Sequence, residues 1–363
     1  MRDLSGVSEG QTVSGGPLQG QRVVVTGGTG SLGKRLTWRL LQGELGELAE
    51  LVVFSRDEAK QHEMRLDFQR RAVATDDVTY DENRQRLRFR IGSVSDFQSV
   101  AAVLRTADVV FNAAALKQVP ACEYAPFEAV QTNILGAQNI VRAIRELGLA
   151  VGTVVGISTD KACKPVNVMG MTKALQERIF VEANLECPTT RFVAVRYGNV
   201  LASRGSVLPL FHHQIATGGP ITITTEDMTR FLLSLDTAVA VVLEALRAAR
   251  PGEIYVPRLP SARIVDVAAA LLGERMIETR VQGIRPGEKV HEVLISEEES
   301  PRSVERGRYY VIRPILPELR HDDSELGVTL REYSSAENVV PIEDVTRLIA
   351  ENRLRVEDRP TFS

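Results

Sequence analysis

Apolar and polar positions follow two periods through the first 200 residues. Arg22–Gly27 (RVVVTG) is apolar without alternation, which predicts a strand covered on both faces. Ser31–Gln42 then repeats its apolar positions at helical spacing. Further strand patterns fall at Leu51–Arg56, Leu87–Val94, Asp108–Ala115, Gly152–Thr159 and Arg191–Asn199. Helical patterns separate most of them, the clearest over Phe127–Leu147. Strand and helix in repetition predict an α/β chain: a Rossmann-type doubly wound parallel sheet with right-handed crossovers and helices on both faces. After Asn199 the pattern breaks into short segments punctuated by Pro and Gly. Residues 1–20 are expected to form a flexible tail and 21–200 a nucleotide domain. Residues 201–363 are expected to be mainly a smaller substrate domain with a C-terminal extension, a segment around 229–258 returning to the sheet. The charged run SEEESPRSVERGR (Ser296–Arg308) reads as a solvated surface, and the last thirty-one residues show one short helix and no chemistry.

Composition narrows the class. The 363 residues are 44% hydrophobic and 25% charged, ordinary for a globular chain with a sizeable core. A net charge of −3 offers no broad attraction for nucleic acid or an anionic membrane, so an anionic ligand needs local positive groups. Cys122, Cys163 and Cys187 have no metal spacing, no metal site is expected, and their odd number fits a reducing, cytoplasmic setting. No apolar run reaches the length of a membrane span, and the N-terminus lacks a signal-peptide core.

The chemistry begins at TGGTGSLG. Gly27, Gly30 and Gly33, with Thr29, Ser31 and Leu32 between them, form a turn between a strand and a helix. Glycine there allows a tight turn and close approach of a pyrophosphate to the helix N-terminus. A plain glycine turn is the alternative; the flanking strand and helix favour a dinucleotide. The second strand ends in Ser55 and Arg56, with Lys60 one turn on, where NAD enzymes usually place an acid. Arg56 can fork onto a 2′-phosphate, which points to NADP; Asp57 and Glu58 fit a solvated helix start equally well. After the fourth strand, Ala113, Ala114 and Ala115 would let a nicotinamide ribose lie close, and Lys117 follows as a cleft or surface lysine.

Beyond these residues the chain resembles the extended short-chain dehydrogenase/reductase family, and within it the UDP-N-acetylglucosamine 4,6-dehydratases of bacterial surface-glycan pathways, including the C5-inverting enzymes. The likeness runs from about Gly20 to Leu294 and is carried by TGGTGSLG, FSRDEAKQHEM, NAAALKQVP, TNILGAQNI, STDKACKPVNVMGMTK, RYGNVLASRGSVLPLF, EDMTRFLLSLDTAV and RPGEKVHEVLI. It implies NADP, a UDP-sugar substrate, a homo-oligomer (dimer or hexamer), and a redox-neutral reaction: oxidation at C4, loss of water across C5 and C6, and hydride return to C6. It assigns Asp160 to protonate the C6 oxygen and Lys161 to act at C5, with Thr159 on the C4 oxygen and Lys173 on the nicotinamide ribose. A base at neutral pH requires Lys161 to have a lowered pKa, from desolvation and from the nearby Lys173 and Lys117. The tyrosine usual four residues before Lys173 is Met169, which packs but cannot carry a proton. The C4 proton must therefore leave by Thr159, by water, through the ribose and Lys173, or by Asp160 acting twice. Ser93 stands where an aspartate commonly meets adenine, with Val94 contributing its backbone. Asn133 matches a structural asparagine. Asn199, Arg204, Ser206, Val207, Arg230, Arg285 and Glu288 match nucleotide-sugar contacts. Two other readings stand beside this one. An epimerase on the same fold would not need the Asp160–Lys161 pair, and a non-catalytic NADP-binding protein would not need the substrate motifs. The short form without a membrane segment resembles the inverting enzymes.

Overall fold

The computed structural model describes residues 15–74, 86–201, 206–320, 325–358 and 360. Its main sheet begins with β1 (Arg22–Thr26), β2 (Glu50–Ser55), β3 (Leu87–Ile91), β4 (Val109–Asn112), β5 (Thr153–Ile157) and β6 (Arg191–Val195). These six run parallel in the order β3-β2-β1-β4-β5-β6. The apolar runs form this sheet because each is covered on both faces. Ser31–Leu41 and Leu235–Ala248 pack on one side, and Phe97–Leu104, Gly136–Leu147 and Val168–Glu186 on the other. The chain crosses over between β1 and β4, so the sheet's order reverses at that point and opens a crevice at the strand carboxyl ends.

The remaining strands are β7 (Asn199–Val200), β8 (Ile221–Ile223), β9 (Thr229–Leu233), β10 (Ile254–Pro257), β11 (Ser261–Arg263), β12 (Thr279–Val281), β13 (Val293–Ile295), β14 (Ser303–Arg306), β15 (Tyr309–Ile312) and β16 (Tyr333–Ser334). β10 extends the parallel sheet beside β6, β15 runs antiparallel to β10 and β14 antiparallel to β15, giving nine strands among the described residues. Residues 303–312, expected in the substrate region, thus belong to the large sheet. The substrate side is assembled from small sheets instead: β11-β9-β7, β12-β8 and β13-β16. Its own core joins Phe211, Ile221, Leu232, Val267 and Val345.

Three expectations change here. The N-terminal segment is packed before residue 21: Leu18 is fully buried and its N–H donates to Leu45 O at 2.9 Å. A leucine that reaches the helix Ser31–Leu41 cannot stay in a solvated tail. The charged run from Ser296 is a solvated surface only in part: Glu297, Glu298, Glu305 and Arg308 are exposed, whereas Glu299, Ser300 and Ser303 are buried. The third is the long helix around 127–147. It starts as Pro126–Ala129, widens into a π-helical segment at Val130–Leu135, and resumes as Gly136–Leu147. Such widenings commonly sit at functional sites. Here the widening brings Asn133 inward: it donates to Leu116 O (3.0 Å) and Thr172 Oγ1 (2.9 Å) and accepts from Leu116 N (2.8 Å). The asparagine therefore ties the loop after β4 to the helix Val168–Glu186.

Candidate active site

A cleft of about 740 Å³ lies over the carboxyl ends of β1, β4, β5 and β6. One end is the glycine turn. Gly27 has φ +64°, and a Cβ there would stand 2.7 Å from the backbone of Ala114. A Cβ on Gly33 would meet Gly28 Cα at 2.5 Å. Gly30 is different: its only near neighbour is Gly27 O at 3.4 Å, and it caps the helix Ser31–Leu41 with no side chain covering the first N–H groups. The turn therefore leaves an uncovered helix N-terminus facing the cleft, the arrangement a pyrophosphate fits. Thr29, Ser31 and Leu32 line the same end.

Ser55, Arg56 and Lys60 line the next stretch. Ser55 Oγ is held by Gln61 Nε2 at 3.0 Å. Lys60 pairs with Asp57 at 2.6 Å, whereas Arg56 is exposed and forms no ion pair among the described residues. Of these groups, Arg56 alone is both cationic and uncommitted. Val94 lines the cleft but Ser93 does not; its hydroxyl is engaged with Ser95 Oγ at 2.7 Å. Ala113, Ala114 and Ala115 form the floor, and Lys117 is exposed at the rim.

The reacting centre is built where β5 ends. Asp160 is fully buried, and its N–H donates to Tyr197 O at 3.0 Å, which fixes it against the end of β6. Its Oδ1 accepts from Thr159 Oγ1 at 2.8 Å and from Lys161 Nζ at 3.0 Å, while Oδ2 has no partner. Lys161 Nζ also lies 3.2 Å from Glu292 Oε1. Burial pulls the Lys161 pKa down, but Asp160 and Glu292 outweigh it and the net shift is upward, with Arg230 opposing. The expectation of a lowered Lys161 pKa is thus not met. Two carboxylates face the ammonium, and they decide the sign. The lowered lysine is Lys173, pushed to about 7 by burial with Glu177 opposing. Its Nζ donates to Gln176 Oε1 at 2.6 Å.

Local sequence explains how the helix Val168–Glu186 meets this turn. Asn167 caps it by accepting from Gly170 N at 2.8 Å, and its amide donates to Gly287 O at 2.8 Å. A Cβ on Gly170 would overlap the carbonyl of Lys161, so glycine lets the helix seat directly on the Asp160–Lys161 turn. Met169 lines the cleft, is 5% exposed and packs with Cys122 and Ala129.

Among the nucleotide-sugar residues, Asn199, Ser206, Arg230, Arg285 and Glu288 line the cleft; Val207 does not, and Arg204 lies outside the described residues. Arg230 is committed to structure: it donates to Thr229 O (2.7 Å), Val290 O (3.0 Å) and Lys289 O (2.9 Å). Arg285 is exposed with no ion pair among the described residues. Glu288 is held at 3.4 Å by Thr224 Oγ1 and Arg285 N. Asn199 Oδ1, Ser206 Oγ, Asp160 Oδ2 and Glu292 Oε2 are all buried without a hydrogen-bond partner, and their residues all line this cleft. Buried polar atoms are rarely left unpaired, so these four suit the polar groups of a ligand in the cleft.

Glu292 was not anticipated from sequence. It follows His291 directly before the apolar VLI of β13, and nothing local marks it as different from a surface glutamate opening a strand. Gln176 and Asn167 were also missed: each has one partner three residues away, Lys173 and Gly170, and one that only the fold supplies, Ile157 O and Gly287 O.

Comparison with known proteins agrees with this architecture. A UDP-N-acetylglucosamine 4,6-dehydratase (inverting) of Campylobacter jejuni subsp. jejuni serotype O:23/36 (strain 81-176) is 41% identical over 302 residues, 82% of this chain and 84% of the relative. A UDP-glucose 4-epimerase of Rickettsia typhi (strain ATCC VR-144 / Wilmington) is 42% identical over 296 residues, 80% and 82% of the two chains. The crystal structure of Pen from Bacillus thuringiensis superposes with a TM-score of 0.82 at 31% identity, covering 93% of this chain and 99% of that one. The family model described as "Polysaccharide biosynthesis protein" matches residues 23–314, and with these relatives it establishes that the chain belongs to that family, a group of nucleotide-sugar dehydratases and epimerases on the extended short-chain dehydrogenase/reductase fold.

Proposed function

We propose that the protein is an NADP-dependent 4,6-dehydratase acting on UDP-N-acetylglucosamine, with inversion at C5. The observation that carries the reading is the Thr159–Asp160–Lys161 cluster, in which the buried Asp160 carboxyl contacts a hydroxyl and an amine inside the cleft. An elimination across adjacent carbons needs an acid and a base, and an epimerisation at C4 needs neither of these two. The 41% identical relative named as an inverting dehydratase supports the same reading.

The residues that would hold the cofactor are the Gly27–Gly33 turn for the pyrophosphate, Arg56 for a 2′-phosphate, and Lys173 for the nicotinamide ribose. When bound, the nicotinamide would supply the hydride chemistry, oxidation at C4 and reduction at C6. The chain's part is to move protons. Met169 takes none. Thr159 Oγ1 donates to Asp160 Oδ1 at 2.8 Å, so the C4 hydroxyl proton passes to Thr159 as the threonine passes its own to Asp160. Asp160 then holds the proton that the C6 oxygen needs to leave as water. Lys161 takes the C5 proton. The proton lost at C4 leaves in the water, and C5 is reprotonated after hydride reaches C6. Asn199 and Ser206, with their unpaired atoms, face the sugar nucleotide, and Arg285 supplies positive charge for its diphosphate.

Incubation with UDP-N-acetylglucosamine and mass spectrometry tests the reading: the product is lighter by one water. An isomer of unchanged mass would instead support the epimerase that the Rickettsia relative's name suggests. A sugar that binds without reacting would support a binding protein. Asp160→Asn and Lys161→Ala each abolish water loss; full activity in both would refute the mechanism. NMR of product formed in deuterated water reads the C5 configuration.

A further inference from the structure

Resting on the dehydratase reading, one group in the cleft has no role in the steps above. Glu292 is 2% exposed and directly precedes β13. Its N–H donates to Ser335 Oγ at 2.9 Å, and Ser335 Oγ in turn contacts Thr229 Oγ1 at 2.7 Å, so its backbone is pinned between β9 and the C-terminal segment. The side chain turns into the cleft. Oε1 lies 3.2 Å from Lys161 Nζ and 3.9 Å from Arg230 Nε, and Oε2 is buried without a partner. A carboxylate this deep is costly unless it is paired, and only one of its two oxygens is paired here.

The elimination poses the question that Glu292 answers. Lys161 must be a neutral amine to take the C5 proton. At rest it lies between Asp160 Oδ1 and Glu292 Oε1, which hold it charged. Asp160 cannot relieve it, because Asp160 receives the C4 proton and gives it to the departing water. We propose that Glu292 is the positioning residue that makes Lys161 a base, by holding the ammonium's proton on its own carboxyl while the sugar fills the cleft. The step balances. Lys161 Nζ–H breaks and Glu292 Oε1–H forms, so an ion pair becomes a neutral amine beside a neutral acid. Exclusion of water by the sugar favours that neutral pair. The amine then takes the C5 proton. Inversion requires C5 to be reprotonated on the opposite face of the ring, by a proton from solvent; the pair then releases its second proton to solvent, and with one proton left on it the resting state returns. The unpartnered Oε2 leaves the carboxyl free to accept or turn.

The charged groups facing this pair are Asp160 from the turn after β5 and Arg230 from β9; Lys173, Lys117, Arg285 and Glu288 lie further round the same cleft. Lys161 and Arg230 are cations paired with Glu292.

The internal transfer has a signature that a purely structural glutamate would not have. In the native enzyme the ammonium's proton stays on the pair while C5 is deprotonated, so kcat is flat across neutral pH. In Glu292→Gln the amine must lose its proton to solvent. At pH 7 kcat then falls by at least about tenfold and rises about tenfold per pH unit towards an alkaline plateau, with KM nearly unchanged. C5-deuterated substrate shows a larger isotope effect in the variant. A second readout needs no turnover. Labelling of Lys161 by acetic anhydride, followed against pH by mass spectrometry, moves to lower pH in Glu292→Gln because one anionic neighbour is gone. Glu292→Asp keeps a carboxyl one methylene back; it lowers kcat by roughly tenfold with the flat profile retained, and it carries the test if the glutamine variant does not fold. Native kcat in either variant, or a reduced kcat with a flat profile in Glu292→Gln, overturns the proposal. Failure of the native protein to release water from the sugar nucleotide refutes the dehydratase reading instead, so the two failures are told apart.

Discussion

Single side chains set the charge balance of this cleft. Arg56 is exposed and uncommitted while its neighbour Lys60 is neutralised by Asp57. Arg56→Ala should weaken NADP by ~1.5–3 kcal/mol, roughly ten- to a hundredfold, and leave NAD binding nearly unchanged, as read by titration of the two cofactors. Equal losses for both would remove Arg56 from the 2′-phosphate. Lys173 makes a different statement. Its folded pKa of about 7 lies below its ordinary 10.5, because burial disfavours the charged form. Between those values the unfolded chain binds more protons than the folded one, so stability rises with pH through that window and the penalty is full below it. At ~1.4 kcal/mol per pKa unit the ceiling is a few kcal/mol. Lys173→Met in the cofactor-free protein should therefore raise the Tm more at pH 6.5 than at pH 9.5, while abolishing turnover.

At the scale of elements, the site depends on how closely the helix Val168–Glu186 approaches the turn after β5. Gly170 permits that approach, Asn167 anchors the helix start to the loop carrying Gly287, and Asn133 reaches across from the π-helical segment to Thr172. Gly170→Ala forces its methyl against the Lys161 carbonyl. Overpacking of this kind costs about 1–3 kcal/mol. The fold should survive, but the turn shifts relative to Met169 and Lys173, so kcat is expected to fall by about tenfold or more with dinucleotide affinity retained. Equal loss of cofactor affinity would place the damage elsewhere. Parts of this arrangement are legible in the order of residues: the glycine turn, the strand ends and the Lys173 helix all follow from local period and punctuation. The π-helical widening was not, since 127–147 carries an unbroken helical period and the insertion is decided by what Asn133 must reach.

For the whole molecule, a buried ion cluster joins the two halves beneath the cleft. Arg196, at the end of β6, pairs with Glu177 at 2.6 Å and with Glu299 at 2.7 Å, and also donates to Leu294 O at 2.8 Å. Arg196 holds the Glu299 carboxyl down at about 2 even though burial pushes it up. The cluster ties the segment carrying Glu292 and β13 to the helix that carries Lys173. Arg196→Met leaves two buried carboxylates facing each other and should cost about 3–5 kcal/mol, seen as a lower denaturation midpoint. Replacing Glu177 and Glu299 with leucine in the same chain should recover much of that loss. A drop in Tm that the triple variant does not recover would mean the cluster is needed for packing beyond its charges.

Local sequence alone determined the parallel sheet, the glycine turn, and the presence of Thr159, Asp160 and Lys161 at a strand end with Lys173 on the helix that follows, because strand period, glycine turns and helix spacing act over a few residues. Tertiary structure decided which lysine carries the lowered pKa. That depends on the number of carboxylates each one faces: two for Lys161, one of them Glu292 from 131 residues further along the chain; Lys173 has no such pair and is simply buried. A proton's affinity is set by the field at one point in space, and residues distant in the chain contribute to that field as strongly as neighbours do.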